Sequence, residues 1–324
     1  MTKVSVIIPV HNTGSFLRGC LCSVLAQTMD GMEVICVDDC STDDSPAILR
    51  EAARSDSRLK VIRLAANLGV SHARNIGLAH AGGEFVYFMD SDDRIDPGYL
   101  QAMYDTCTGM HLDQVVNFNY LIEDDSSVPG AGAKWEFVLG EPGFHPSALI
   151  TNYARCCTWM RLYRKSFLLE NGLTFPEEVS ASEDYYFSRV AQMTAESIYT
   201  FFGPAYHYLS RRGSLSKLNT FDHIIASCLS YRRFKAMSIP LEGIKLFYCE
   251  PMLAVDSEEK YDFIKAFFEE MQPDMLKNPD LYTNFDCFCF DSLSSCQSWE
   301  EWSGRHPAGR LMPAYLRYVK SKER

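Results

Sequence analysis

GGEFVYFMDSDDRID, residues 82–96, is an apolar strand that stops abruptly in carboxylates. Phe85, Val86, Tyr87, Phe88 and Met89 form a short run rich in aromatics, bounded by Gly82-Gly83 before and by Asp90, Asp92 and Asp93 after. A continuous apolar run without polar alternation predicts a strand buried on both faces, as in a parallel sheet covered by helices. Such a strand delivers Asp90 and Asp92 to its carboxyl end, where open α/β sheets bind their ligands. Two acids separated by one serine suit a hard divalent cation. Mg²⁺ or Mn²⁺ takes one or two protein carboxylates and completes its shell with water and phosphate oxygens. An isolated D-x-D is equally the sequence of a solvated acidic turn, so the flanking chain has to decide.

Upstream, Val4 to Ile8 is a β-branched run that stops at Pro9. Phe16, Leu17, Cys20, Leu21, Val24 and Leu25 then recur at helical spacing, with Ser15 placed to cap the helix. Glu33 to Val37 is a second strand, ending in Asp38-Asp39. Strand, helix and strand in such quick succession make a βαβ unit, hence a parallel sheet with a right-handed crossover. Ser45-Pro46 reads as the cap and first residue of a helix reaching about Ser55. Leu59 to Leu64 is a third strand, and Ser71 to Ala81 a helix closed by Gly82-Gly83. His72, Arg74 and Asn75 fall in its first turns, near the positive end of the helix dipole, a place suited to anions. Three strands thus finish in polar residues: Pro9 to Asn12, Asp38-Asp39 and Asp90-Ser91-Asp92. Neither G-x-G-x-x-G nor G-x-x-x-x-G-K-[ST] follows the first strand, so phosphates would be held by metal and side chains.

The chain has 324 residues, enough for one large domain or two. With 47% hydrophobic and 23% charged residues it has the make-up of an ordinary soluble globular protein. Thirty-one basic against 42 acidic residues give a net charge of −11, which speaks against a nucleic-acid partner bound by phosphate neutralisation. Twelve cysteines without a C-x-x-C pair are expected as reduced, buried thiols, and Cys287, Cys289 and Cys296 lack the spacing of a zinc site. The apolar run at the start is too short for a signal peptide, and no segment reaches the length of a membrane span, so a cytoplasmic location is expected.

Four stretches taken together carry a resemblance: VSVIIPVHN (4–12), VICVDDCSTDDS (34–45), NLGVSHARNIGLAHAGGEFVYFMDSDD (67–93) and WMRLYRKSFLLENGLTFPEEVSASEDYYF (159–187). They are similar to the inverting glycosyltransferases of family 2, over about residues 2–220. The resemblance implies the GT-A fold, an α/β architecture with a Rossmann-like, mostly parallel central sheet and flanking helices. It also implies transfer of a sugar from a nucleotide-sugar, expected to be a UDP-sugar, to a glycan or lipid-linked acceptor in bacterial surface-polysaccharide synthesis. Residue by residue, it makes Asp184, the second acid of Glu183-Asp184, the general base, and Asp92 the ligand of Mg²⁺ or Mn²⁺. By the same resemblance Asp90 contacts the ribose or assists the metal, and Asp39 matches the acid that reads a uracil edge. Pro9 and His11 open the nucleotide site, with His11 where tyrosine or phenylalanine is more usual. Arg74 is assigned to the nucleotide or diphosphate, Asp93 and Glu183 to support, and Arg211 and Arg212 to a flap over the diphosphate. Read without the family, two acids opening a helix are also what its dipole favours.

Residues 1–218 are accordingly expected as the GT-A domain, with 1–96 the nucleotide-binding half and 97–218 the acceptor and catalytic half. The expected elements there are a helix from Pro97 to Met110, a strand from Val115 to Ile122, a mobile loop from Glu123 to Gly132 and a hairpin return at Trp135 to Leu139. A strand from Arg155 to Leu162, helices at Ser166 to Glu170 and from Ser182, and strands at Ser197 to Phe202 and Ala205 to Leu209 follow. Residues 219–324 read as a mainly helical extension, with helices at Asp222 to Met237 and Ser257 to Met271. Its basic, aromatic end, Trp299 to Arg324, suits peripheral contact with the inner face of a membrane, or packing on the domain. Two other functions stay open: a sugar-phosphate nucleotidyltransferase, although His11-Asn12-Thr13-Gly14 is not its glycine-rich basic loop, and a non-catalytic nucleotide- or glycan-binding module.

Overall fold

The computed structural model describes residues 2–124, 133–135, 142–146, 157–195, 197–210, 220–239, 257–277 and 295–305. The chain divides into two units, Met1–Ser214 and Leu215–Arg324. In the first, strands β1 (Val4–Val10), β2 (Met32–Asp38), β3 (Leu59–Arg63) and β4 (Phe85–Phe88) alternate with helices α1 (Gly14–Leu25), α2 (Ser45–Ser55) and α3 (Val70–His80). Every residue of β1, β2 and β4 is buried, as in strands covered on both faces, including Ser5 and Glu33, which bond each other. β1 runs parallel to both β2 and β4, with Val6 opposite Val34 on one side and Tyr87 on the other. The order β3-β2-β1-β4 therefore reverses direction at β1. A crevice for ligand opens at such a switch point, outside the carboxyl ends of the strands.

Beyond β4 come β5 (Arg94–Ile95), α4 (Tyr99–Gly109), β6 (Gln114–Asn117), β7 (Tyr120–Asp124), β8 (Ala133–Trp135) and β9 (Gly143–Pro146). These are followed by β10 (Arg161–Arg164), α5 (Lys165–Glu170), α6 (Glu183–Thr194), β11 (Ser197–Phe201) and β12 (Tyr206–Ser210). The main sheet continues as β4-β10-β6-β11-β9, with β10 antiparallel to β4 and β6. A smaller sheet has the order β5-β12-β7-β8. The mixed, helix-flanked sheet is the α/β architecture anticipated from the apolar runs.

Several local expectations are corrected. The strand expected from Val115 to Ile122 is two strands in different sheets, β6 and β7. Asn117 breaks it: its Oδ1 accepts the amides of Asn119 (3.1 Å) and Gly203 (3.0 Å), forming an Asx-type turn that diverts the chain. Of the strand expected from Arg155 to Leu162, residues 155–156 lie outside the described residues, and β10 runs from Arg161, after a 3₁₀ turn at Thr158–Met160. There the carbonyl of Trp159 accepts hydroxyls from Tyr87 (2.6 Å) and Tyr99 (3.1 Å) in place of a ladder partner. Ser15 does not cap α1, which starts one residue earlier, and Ser45 is the first residue of α2. Both helix starts are instead tied to each other. Thr13 N donates to Ser45 Oγ (3.1 Å), while Asp43 accepts from Gly14 N (2.8 Å) and Ser45 N (2.9 Å).

The second unit holds α7 (Thr220–Ala236), α8 (Glu258–Lys277) and α9 (Trp299–Arg305). α8 runs through Pro273, beyond its expected end at Met271. Tyr231 packs edge-on against Phe267 and donates to Asp274 (2.6 Å), and Arg232 pairs with Glu270 (2.7 Å). Arg211, Arg212, Cys287, Cys289, most of the Glu123–Gly132 loop and the basic tail after Arg305 lie outside the described residues. Among the described residues, no helix is long and apolar enough to cross a membrane.

α3 meets β1 at backbone distance through Gly77, where a methyl would stand 2.3 Å from Ile7 Cγ2. Gly77→Ala is expected to lower stability by about 1–3 kcal/mol, overpacking outweighing the ~1 kcal/mol that alanine gains over glycine inside a helix. Chemical denaturation measures it; a variant as stable as the parent would show that Ile7 yields at no cost.

Candidate active site

The carboxyl ends of β1, β2 and β4 bring His11, Asp39 and Asp90 to one rim of the sheet. His11 Nδ1 lies 2.7 Å from the carbonyl of Asp39, which only accepts, so Nδ1 carries the proton and Nε2 is left to accept from Asn67 Nδ2 at 3.0 Å. The Asp39 carboxylate is buried and receives the amides of Leu68 and Gly69, both at 2.8 Å. Asp39 therefore shapes the 67–70 loop that leads into α3. The loop after β1 is held in turn by Asn12, whose Oδ1 accepts the Thr42 amide (2.8 Å).

The acid loop after β4 has its own anchor. Asp93 is buried, its Oδ2 accepting from Tyr206 OH (2.5 Å) and its Oδ1 from the amide of Leu209 (2.7 Å). Burial, with the neighbouring charges of Asp92 and Asp90, pushes its carboxyl well up, against the lowering effect of those hydrogen bonds. Tyr206 is stacked on Trp159 at 4.4 Å, with Tyr208 on the same ring at 5.9 Å. Two residues apart on β12, both tyrosines point to one face; His207 points to the other. It stands between two carboxylates, Nδ1 2.8 Å from Glu123 Oε1 and Nε2 2.8 Å from Asp96 Oδ1. Asp92 itself is partly exposed, next to the committed Asp93.

Across the rim sits Arg74, 3% exposed. Its Nη2 donates to Asp90 Oδ1 (2.7 Å) and its Nη1 to Glu183 Oε1 (2.5 Å). Asp184 follows Glu183 in the first turn of α6, just after Ser182, which is held in the left-handed region at φ 65°. Burial raises the Asp184 carboxyl well above its usual range, aided by the charges of Glu183 and Asp90 and opposed by Arg74. Burial likewise works against the Arg74 charge, but Asp90, Glu183 and Asp184 more than offset it and drive its pKa upward.

The fold thus gathers Pro9, His11, Asp39, Arg74, Asp90, Asp92, Asp93, Glu183 and Asp184 on one side of the first unit, while Arg211 and Arg212 lie outside the described residues. Sequence reading missed Tyr206, His207, Trp159 and Asn67. The period-2 alternation of Tyr206-His207-Tyr208 was the available signal for the first two. Among the described residues, no three His, Cys, Asp or Glu side chains converge to cage an ion. One or two carboxylates completed by donor oxygens is nevertheless the usual Mg²⁺ arrangement, and Asp92, a hard oxygen donor at the rim, fits it.

Comparison with known proteins agrees with this geometry. The model of glycosyl transferase family 2 matches residues 5–170, more than half of the chain, and the chain belongs to that family. It is 37% identical over 208 residues to EpsH of Bacillus subtilis (strain 168), covering 63% of this chain and 60% of EpsH. It is 32% identical over 215 residues to the poly(ribitol-phosphate) beta-N-acetylglucosaminyltransferase TarS of Staphylococcus aureus, covering 65% of this chain but only 36% of TarS. The crystal structure of TarS 1–349 in complex with UDP-GlcNAc is similar with a TM-score of 0.61 at 26% identity, over 83% of this chain and 72% of that one. A mannosyltransferase from Pyrobaculum calidifontis, in complex with GDP-Man and Mn²⁺, shares the fold with a TM-score of 0.52 at 16% identity.

The His207 cluster has a pH signature. Burial would raise the Asp96 carboxyl, but hydrogen bonds from His207 and the Ala205 amide hold it below its usual value; Glu123 is lowered likewise, burial being outweighed by His207 and Arg94. Both groups add stability that is complete above the ordinary carboxylate range, about pH 4, and is lost as pH falls through their lower folded-state values. His207→Gln should therefore flatten the acid end of a curve of denaturant midpoint against pH. An unchanged slope would show that the imidazole does not hold these carboxylates.

Proposed function

We propose that this chain is a metal-dependent, inverting glycosyltransferase that moves a sugar from a nucleotide-sugar, a UDP-sugar by preference, to a hydroxyl of a glycan or lipid-linked acceptor. Residues 1–96 then form the nucleotide-binding half and 97–218 the acceptor and catalytic half. The observation that carries the reading is the placement of Asp184 beside the donor-strand acids: one guanidinium bonds both Asp90 and Glu183, its neighbour in the chain. Likeness to TarS, seen with UDP-GlcNAc, supports the choice of nucleotide.

An acceptor hydroxyl is a weak nucleophile until a base within hydrogen-bond reach takes its proton. In this reading Asp184 accepts that proton as the acceptor oxygen bonds the anomeric carbon. The bond from that carbon to the diphosphate oxygen breaks, and its electron pair leaves with the nucleoside diphosphate. Attack from the face opposite the leaving group inverts the anomeric centre. Pro9, His11 and Asp39 line the base and Asp90 the ribose. A cation held by Asp92 would supply Lewis-acid stabilisation of the leaving diphosphate. The protonated form of Asp184 cannot act as base, and its carboxyl is raised by burial first and by Glu183 and Asp90 next. Activity in kcat/KM should therefore rise with pH along an acid limb lying above the ordinary carboxylate range, about pH 4.

Asp184→Asn is expected to cut sugar transfer or UDP-GlcNAc hydrolysis by roughly 10²–10⁴-fold while UDP binds as before. Parallel loss of affinity and rate would make Asp184 a binding residue instead. EDTA should stop turnover, with Mg²⁺ or Mn²⁺ restoring it; full activity in chelator removes the metal from the scheme. Release of pyrophosphate from a nucleoside triphosphate would mark a nucleotidyltransferase, and UDP binding without any turnover a binding module.

A further inference from the structure

Arg74, in the first turns of α3, is buried, and its surroundings join parts of the chain that are far apart. The residue it bonds through Nη1, Glu183, is 109 positions downstream. Its guanidinium also lies over the ring of Phe175, 5.2 Å from the centroid. Phe175 is stacked on Phe187 of α6 at 4.0 Å and meets Phe88 of β4 edge-on at 4.9 Å, so it is a wedge between the base helix and the donor strand. The wedge is fixed from α3 as well. Asn75 accepts the amide of Phe175 (2.9 Å) and donates to its carbonyl (3.0 Å), satisfying both backbone groups with one side chain. Two successive residues of α3 thus hold α6: Arg74 by its charges, Asn75 by the wedge.

This geometry leaves Arg74 little to offer a donor directly. Each terminal nitrogen bonds a carboxylate, Nε is buried without a hydrogen-bond partner among the described residues, and the side chain is only 4% exposed. A diphosphate would have to enter a site closed to all but a few per cent of solvent contact to reach it. A planar fork with two parallel donors is also something lysine cannot reproduce.

We propose that Arg74, with Asn75, is a positioning residue for the base: it sets the first turn of α6 against the carboxyl end of β4 and so aims Asp184, without itself bonding the donor. The inference rests on the reading of Asp184 as base. Asp184 is faced by Glu183 on its own helix, by Arg74 from α3 and by Asp90 from the end of β4, so removing the cation and removing the anion should move its titration in opposite directions.

The test compares Arg74→Lys, Arg74→Gln, Asn75→Ala and Glu183→Gln. Binding of UDP with Mn²⁺ to the parent protein decides the nucleotide reading by itself. Amide hydrogen exchange at the first turn of α6, followed in the free protein, reads the clamp with no donor present and should quicken in Arg74→Lys and Asn75→Ala. UDP affinity should stay at the parent level in all four, while UDP-GlcNAc hydrolysis falls by about 100-fold in Arg74→Gln, the scale of a reacting group misplaced by about 1 Å. The acid limb of the rate profile should move up in Arg74→Gln and down in Glu183→Gln, a pair of shifts that a general loss of packing would not give. The double variant Arg74→Gln/Glu183→Gln should be no slower than Arg74→Gln alone. UDP affinity falling in step with rate in Arg74→Lys would make Arg74 a donor contact and overturn the proposal. Unchanged exchange in α6, or losses that simply add, would overturn it too.

Discussion

Burial of β1 along its whole length is the constraint on which the first unit depends. A strand covered on both faces and paired on both edges can carry a polar group inside the sheet only if a partner satisfies it, as Ser5 and Glu33 satisfy each other near the amino ends (2.6 Å). β2 and β4 are buried alike on either side, and all three deliver the polar residues at their carboxyl ends to one rim. The close approach of α3 at Gly77 then places the start of that helix over the same rim, which is how Arg74 comes to face Asp90.

Among the described residues, the rim holds more carboxyl groups than cations. Asp90, Glu183 and Asp184 stand around the guanidinium of Arg74, and Asp39, Asp92 and Asp93 follow the ends of β2 and β4. Asp39 is satisfied by backbone amides and Asp93 by a hydroxyl and an amide, while Asp184 accepts the amide of Tyr185 (2.7 Å). For Asp93 and Asp184 these bonds are outweighed by burial and acidic neighbours, which raise both carboxyls. Neighbouring carboxylates oppose one another's ionisation, and positive charge beside them favours it.

The parts of the fold legible in the sequence were those set by local pattern. Unbroken apolar runs marked β1, β2 and β4, and helical spacing marked the crossovers between them, because burial on two faces leaves no freedom of composition. The acids at the strand ends were legible for the same reason. What escaped depended on partners remote in the chain. Asn117 splits an apparently continuous strand with Gly203, 86 residues on, donating to it alongside the nearby Asn119. Trp159 leaves strand geometry because Tyr87 and Tyr99 compete for its carbonyl. Arg74 was recognisable as part of the site but not as a buried residue, since what buries it is Phe175 and Glu183, a hundred positions away.

That separation has a consequence for assembly. β1 to β4 are linked by short crossovers and can pair soon after collapse, whereas the bond from Arg74 to Glu183 closes a loop of more than a hundred residues and must wait for the intervening strands. Contacts of such long range come late, because their closure entropy is met before they contribute anything in return. Asp184 is therefore among the last groups to reach its place as the chain folds, and the rim at the ends of β1, β2 and β4 exists before it does.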